Sequence, residues 1–96
     1  MAGTRAAIRY AKAILDIAQV NNSTQAVNSD MTSIVNAIKD SAELKDFLQS
    51  PIVKGEIKFS SLNEIFAYAQ KETKGLFQLL LVNKRFELLN DVALQF

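Results

Sequence analysis

Five polar residues near the start of the chain have the types and spacing to contact a charged partner. Alternating steps of four and three, at about 100° per residue, place them on one narrow ribbon of a helix: Arg5, Arg9, Lys12, Asp16 and Gln19. The three cations could pair with acidic residues of another protein. A charged ribbon is more often the solvated side of a helix, and we favour that interpretation.

Catalytic and metal-binding chemistry has few candidate residues in this chain. The sequence contains no His and no Cys, so the commonest general base and metal ligand is missing, as is any thiolate ligand. Carboxylates, lysines, tyrosines and hydroxyls remain, but no motif orders them into a nucleophile and its base. The sequence therefore predicts a protein that is not an enzyme, with no catalytic residues, no cofactor and no metal site.

Charge and hydropathy narrow the classes of partner. Eleven basic and ten acidic residues give a net charge of +1, which is too small for the basic footprint of a nucleic-acid-binding domain. No apolar run approaches the ~20 residues that span a bilayer. We therefore expect no nucleic-acid partner and no direct membrane insertion.

The pattern of apolar residues and helix breakers predicts an all-α fold, a six-helix bundle in a single domain. Only three glycines and one proline occur, and apolar residues recur at helical spacing, as in the single stripe of helix two: Val27, Met31, Ile34, Val35 and Ile38. Asp40 and Glu43 resemble a capping box that opens helix three, and Ser50-Pro51 ends it. Helix five is predicted over about Thr73 to Asn83.

Two segments, Arg5–Val20 and Leu76–Val82, are apolar on too many sides for ordinary surface helices. Beside its charged ribbon, helix one has a first apolar flank assigned to the core: Ala7, Ile8, Ala11, Ile14, Leu15 and Ala18. Its second apolar flank contains Ala6, Tyr10, Ala13, Ile17 and Val20. The second flank can face a partner, or the helix can be buried on both flanks inside a bundle; both interpretations remain open.

Three motifs occur in order along the chain: Arg9-Tyr10-Ala11-Lys12-Ala13, Leu48-x-Ser50-Pro51 followed by Lys58, and Asn83-x-Arg85 followed by Phe96. Together they resemble the family of bacterial ATP synthase delta subunits, whose mitochondrial counterpart is the oligomycin-sensitivity-conferring protein. The resemblance extends over essentially the whole chain. It implies that residues 1–96 are the N-terminal domain of such a subunit, and that a C-terminal domain is absent from this chain.

The resemblance implies a non-catalytic role in the stator of a rotary proton-translocating ATP synthase. The domain would bind the N-terminal helix of an alpha subunit in a groove between helices one and five, a helix-in-groove mode of recognition. The missing C-terminal domain would contact the b subunits of the peripheral stalk. The protein would then be a peripheral part of the complex at the cytoplasmic face of the bacterial inner membrane.

Seven residues are predicted to contact the alpha-subunit helix: Ala6, Tyr10, Ala13, Ile17, Leu76, Leu79 and Asn83. Alanines would allow close approach of a helix, and Tyr10 offers a large area with a polar tip. Leu76 could instead be plain core, and Asn83 could be the left-handed residue that ends helix five. Arg85 could hold the corner after helix five or be a solvated surface residue.

A different functional class is also compatible with six helices in a chain of this length. Death-domain-type adaptors are all-helical interaction modules that self-associate through charged surface patches. The charges of this chain are dispersed and its surplus surface is apolar, so we keep the adaptor as the alternative interpretation.

Overall fold

Six α-helices build the protein in the computed structural model, which describes residues 2–96, with side chains described from residue 5 onward. The helices are α1 (Ala2–Val20), α2 (Thr24–Asp40), α3 (Ala42–Gln49), α4 (Gly55–Ile65), α5 (Lys71–Asn83) and α6 (Leu89–Gln95). A 3-10 turn, Phe86–Leu88, leads into α6. The described residues contain no strand, and the predicted all-α bundle of six helices is confirmed.

The short helix α6 has α1 and α2 as its main neighbours. It packs against both of these helices, while α5 packs against α1 and α4. Leu89 and Val92 of α6 are fully buried. Because α1 contacts α2, α5 and α6, one side of this long helix supplies a large part of the core.

The buried stripe of α2 agrees with its predicted spacing, and that of α1 follows the predicted core flank except at its edge. Val27, Met31, Ile34 and Ile38 are all buried, and Val35 packs against them from the side. In α1 the buried line runs through Ala7, Ala11, Ile14 and Ala18. The assignment of Ile8 to the core is wrong, since its side chain is 50% exposed, and Ala6, assigned to the other flank, is buried. The neighbours of α1 decide which edge of the stripe is covered.

The helix ends near α3 are held by hydrogen bonds that connect adjacent segments. The Ser41 hydroxyl accepts a hydrogen bond from the Leu44 backbone N–H at 3.1 Å, so Ser41 is the N-cap and the predicted Asp40–Glu43 capping box is wrong by one residue. At the other end of α3, Lys58 Nζ donates to the carbonyl oxygens of Leu48 and Ser50, at 2.9 and 2.8 Å. This buried cation satisfies carbonyls that the helix end leaves free.

No helix in the part of the chain that the structure describes is both long enough and apolar enough to cross a membrane.

Candidate helix-binding surface

Helices α1 and α5 pack side by side and are joined at one end by a hydrogen bond. Asn21 Nδ2, just after α1, donates to Glu72 Oε2 in the first turn of α5, at 2.8 Å. Because α1 ends at this junction and α5 begins there, the two helices run antiparallel to each other. The two helices form the two sides of one surface, which we call the α1–α5 surface and define by the exposed and half-buried residues described next.

On the α1 side, four predicted partner-contacting residues lie at different depths. Ala13 is exposed, Ile17 is 48% exposed, and Tyr10 is half-buried against the core. Ala6 is 7% exposed and belongs to the core. Val20, which is 82% exposed, extends this apolar side toward the junction although it was not among the predicted contact residues.

On the α5 side, the three predicted residues are likewise at different depths. Leu79 is half-buried and Asn83 is exposed, whereas Leu76 is fully buried and presents no surface in this conformation. The alternative assignment of Leu76 to the core therefore describes the free domain. Gly75 and Val82 are exposed on α5 and were not among the predicted contacts; their spacing of four and three residues from Leu79 is the signal that places them beside it.

The end of α5 is closed by backbone hydrogen bonds around Lys84. Lys84 has φ 57° and ψ 43°, in the left-handed region. Its N–H donates to the Leu81 carbonyl at 3.2 Å, and the Arg85 N–H donates to the Leu80 carbonyl at 3.0 Å. This is a Schellman motif with Lys at the position that usually holds Gly. The alternative role of Asn83 as the left-handed cap is thus wrong, because Lys84 fills it.

Asn83 keeps its side chain close to its own helix. Its Nδ2 donates to the Leu79 carbonyl at 3.0 Å, which fixes the amide at the exposed end of the α1–α5 surface. The Arg85 side chain forms an ion pair with Glu87, with Nε 3.2 Å from Glu87 Oε1. A partner at this end would therefore meet the Asn83 amide, with one N–H and the Oδ1 still able to form hydrogen bonds.

The carboxylate of Glu72 stabilises the junction end of the surface. Its side chain is 5% exposed, and the hydrogen bond from Asn21, helped by the Glu72 backbone N–H, lowers its pKa below the ordinary 4.5 against the opposing effect of burial. Glu72 Oε1 is buried without a hydrogen-bond partner. The ionised carboxylate also suits the first turn of α5, where the helix dipole favours negative charge.

Positive charge is concentrated on the two helices of this surface. Together α1 and α5 carry five basic and two acidic residues, whereas the rest of the chain carries six basic and eight acidic residues. Arg5, Arg9 and Lys12 are exposed, as expected for a solvated ribbon. Among the described residues the single salt bridge is Arg85–Glu87, so these cations have no acidic partner within the described chain.

Two concave cavities in the described part of the protein lie away from the predicted contact residues. One of about 420 Å³ lies between α2 and the end of α4, and another of about 550 Å³ lies between the start of α4 and the end of α5. None of the seven predicted residues lines either cavity. The described residues also contain no cluster of three or more acidic side chains that could hold a metal ion.

Comparison with known proteins identifies one family. The family described as "ATP synthase delta (OSCP) subunit" matches residues 6–96. Proteins named ATP synthase subunit delta from Flavobacterium johnsoniae and Flavobacterium psychrophilum are 53% and 47% identical to this chain, each over all of it and over 54% of the relative. One from Chlorobium phaeobacteroides is 36% identical with the same coverage. The chain spans about half the length of these curated relatives.

Proposed function

This chain belongs to the ATP synthase delta (OSCP) subunit family, and we propose that it is the part of a delta subunit that binds an alpha subunit. The proposed ligand is the amphipathic N-terminal helix of that alpha subunit, lying along the α1–α5 surface. A further domain would contact the b subunits of the peripheral stalk. The assembled subunit would work at the cytoplasmic face of the bacterial inner membrane.

The observation that carries this proposal is the uncovered apolar face between α1 and α5. Ile17 is 48% exposed, Val20 is 82% exposed and Val82 is 67% exposed. Tyr10 and Leu79, on the same two helices, are half-buried. Exposed apolar side chains on two packed helices are typical of a surface that binds an amphipathic helix, whose apolar anchors supply affinity and whose polar flanks set register.

Each predicted contact residue has a distinct role in the proposed complex. Ala13 allows close approach, Ile17 and Leu79 supply apolar area, and Tyr10 supplies area with a polar tip. Asn83 offers its remaining N–H and Oδ1 to the end of the bound helix. Buried Ala6 and Leu76 contribute from beneath, by keeping the backbones of α1 and α5 in place.

The proposed role is mechanical and static. A stator has to resist the torque that the rotating central stalk transmits to the catalytic head, so a slowly dissociating contact is required and no chemical step. Most differences in affinity between related complexes reside in the dissociation rate. A rigid bundle with a preformed face suits this requirement, because little ordering entropy is lost on binding.

Calorimetric titration with a peptide of about 20 residues, copied from the N-terminus of the cognate alpha subunit, tests the proposal. We expect one-to-one binding, together with a gain of peptide helicity in circular dichroism. A peptide of the same composition in scrambled order is the control, since it lacks the apolar stripe. Absence of heat and of helicity gain at ~100 μM peptide would contradict the proposed function.

A further inference from the structure

Gly75 is a glycine in the interior of α5 that the fold does not require. It is the fifth residue of a 13-residue helix, and no glycine of the described chain has a positive φ. A Cβ placed on Gly75 would meet, within 4 Å, no atom of the described residues other than its chain neighbours and the backbone of its own helix. Glycine is among the poorest helix formers, so alanine would stabilise α5 at this position without any clash.

Gly55 provides a contrast within the same protein. A Cβ on Gly55 would lie 3.2 Å from Leu81 Cδ1 and 4.0 Å from Phe86 Cε2. A side chain at Gly55 would therefore require Leu81 to move by a few tenths of an ångström, which gives internal packing a part in the choice of glycine. No such internal contact accounts for the missing side chain at Gly75. A contact with another molecule would account for it.

The position of Gly75 links it to the α1–α5 surface. Gly75, Leu79 and Val82 are spaced by four and three residues and so share one face of α5. Leu79 is half-buried and Val82 is 67% exposed, so this face is open to solvent and apolar. Gly75 leaves a gap in this face, about one helical turn after Glu72 and so near the Asn21–Glu72 junction.

We propose that Gly75 is the point where the backbone of the docked helix comes closest to α5. Without a side chain at this position, two helices can approach to the short end of the usual interaxial range of 8–10 Å. The glycine thus selects a partner helix that presents a small residue at the contact. This inference rests on the proposed function, and it adds a specificity-determining residue that is not needed for folding.

The variant Gly75→Ala separates folding from binding, because it should stabilise the folded protein and weaken its binding to the peptide. We expect its Tm to rise by about 4–8 °C, the shift that corresponds to the helix propensities of Gly and Ala in a domain of this size. We expect its Kd for the alpha-subunit peptide to rise at least about tenfold, because the added methyl group overpacks the contact. Gly75→Leu should raise the Kd further.

Asn36→Ala is the matched control. Asn36 is exposed in the interior of α2, away from the α1–α5 surface, and its replacement by alanine also raises helix propensity. Its Tm should rise while its Kd stays that of the wild type, which shows that greater stability by itself does not weaken binding.

The outcomes distinguish this inference from the proposed function. If the wild type binds the peptide and both Gly75→Ala and Gly75→Leu bind it as tightly as the wild type does, Gly75 is not the point of closest approach. The inference is then overturned. A lower Tm for Gly75→Ala would also overturn it, since the glycine would then serve the fold. If the wild type binds no peptide, the proposed function itself is wrong.

Discussion

Asp30 of α2 and Thr73 of α5 are 43 residues apart in the chain and are joined by a hydrogen bond of 2.7 Å from the Thr73 hydroxyl to Asp30 Oδ2. The same oxygen accepts the Gln70 backbone N–H at 2.8 Å. Gln70, the residue before α5, makes no side-chain cap of its own. The start of α5 is therefore capped by a carboxylate from another helix, which fixes where this helix begins against α2.

Replacing Asp30 by alanine should destabilise the domain by about 2 kcal/mol, because α5 loses its cap and the buried Thr73 hydroxyl loses its acceptor. Asp30→Asn, which keeps an acceptor oxygen but not the charge, should cost less than half of that. Urea denaturation midpoints of the two variants and the wild type measure the difference. Equal midpoints for Asp30→Ala and the wild type would mean that the cap contributes nothing to stability.

Adjacent residues of α1 should respond in opposite ways to the same substitution. Ile14 is 4% exposed whereas Ala13 is exposed. Ile14→Asp buries an unpaired carboxylate and should cost several kcal/mol, enough to unfold the domain. Ala13→Asp should leave the thermal melt nearly unchanged and weaken peptide binding by ~2 kcal/mol or more, because its charge is desolvated only under the docked helix.

Melting temperatures together with peptide titrations decide the comparison of Ile14 and Ala13. A variant Ala13→Ser keeps the small size without the charge and serves as the control for both readouts. If Ala13→Asp melts as early as Ile14→Asp, Ala13 is part of the folded core and the α1–α5 surface is not a binding face.

Replacing Lys84 by glycine should stabilise the folded protein. Its left-handed backbone, with φ 57°, places Cβ too close to the following carbonyl oxygen, whereas glycine has no such contact but loses more chain entropy on folding. The balance predicts that Lys84→Gly raises the free energy of unfolding by roughly 0.5–1 kcal/mol and that Lys84→Val lowers it. Chemical denaturation of the three proteins measures both changes.

Asn22 is the natural control for Lys84. It has φ 55° and ends α1 with the same pair of backbone bonds, from Asn22 N–H to the Gln19 carbonyl and from Ser23 N–H to the Ala18 carbonyl. Asparagine tolerates the left-handed region, so Asn22→Gly should change stability by only a few tenths of a kcal/mol. A larger gain at Asn22 than at Lys84 would contradict this account of strain.

Acid should weaken the junction between α1 and α5 through Glu72. The folded pKa of Glu72 is lowered, chiefly by the hydrogen bond from Asn21, below the ordinary 4.5. A carboxylate with a depressed folded pKa contributes stability that is fully present above pH 4.5 and is lost as the pH falls through the folded pKa. Glu72→Gln keeps an oxygen acceptor for Asn21 but does not titrate.

The free energy of unfolding of the wild type and of Glu72→Gln, followed from pH 7 downward, tests this linkage. We expect the advantage of the wild type to be constant at neutral pH and to shrink below pH 4.5. A difference between the two proteins that does not depend on pH would show that the Glu72 charge is not what stabilises the junction.

Local spacing along the chain determined the helices and most of their buried stripes. The positions Val27, Met31, Ile34 and Ile38 return to one side of a helix in any environment, because helical geometry depends only on the chain itself. Pro51 ends α3 for an equally local reason, since it excludes the preceding residue from helical geometry. The sequence pattern also identified α1 and α5 as the helices with surplus apolar surface.

Tertiary structure alone decided which of those apolar residues are covered and how the helix ends are closed. Ala6 is buried and Ile8 is exposed because the neighbours of α1 cover one edge of its stripe and leave the other open. The bonds Asp30–Thr73 and Asn21–Glu72 connect residues 43 and 51 positions apart. Such contacts have no periodic signature, since they depend on where the axes of separate helices come to lie, and that is set only when the whole core packs.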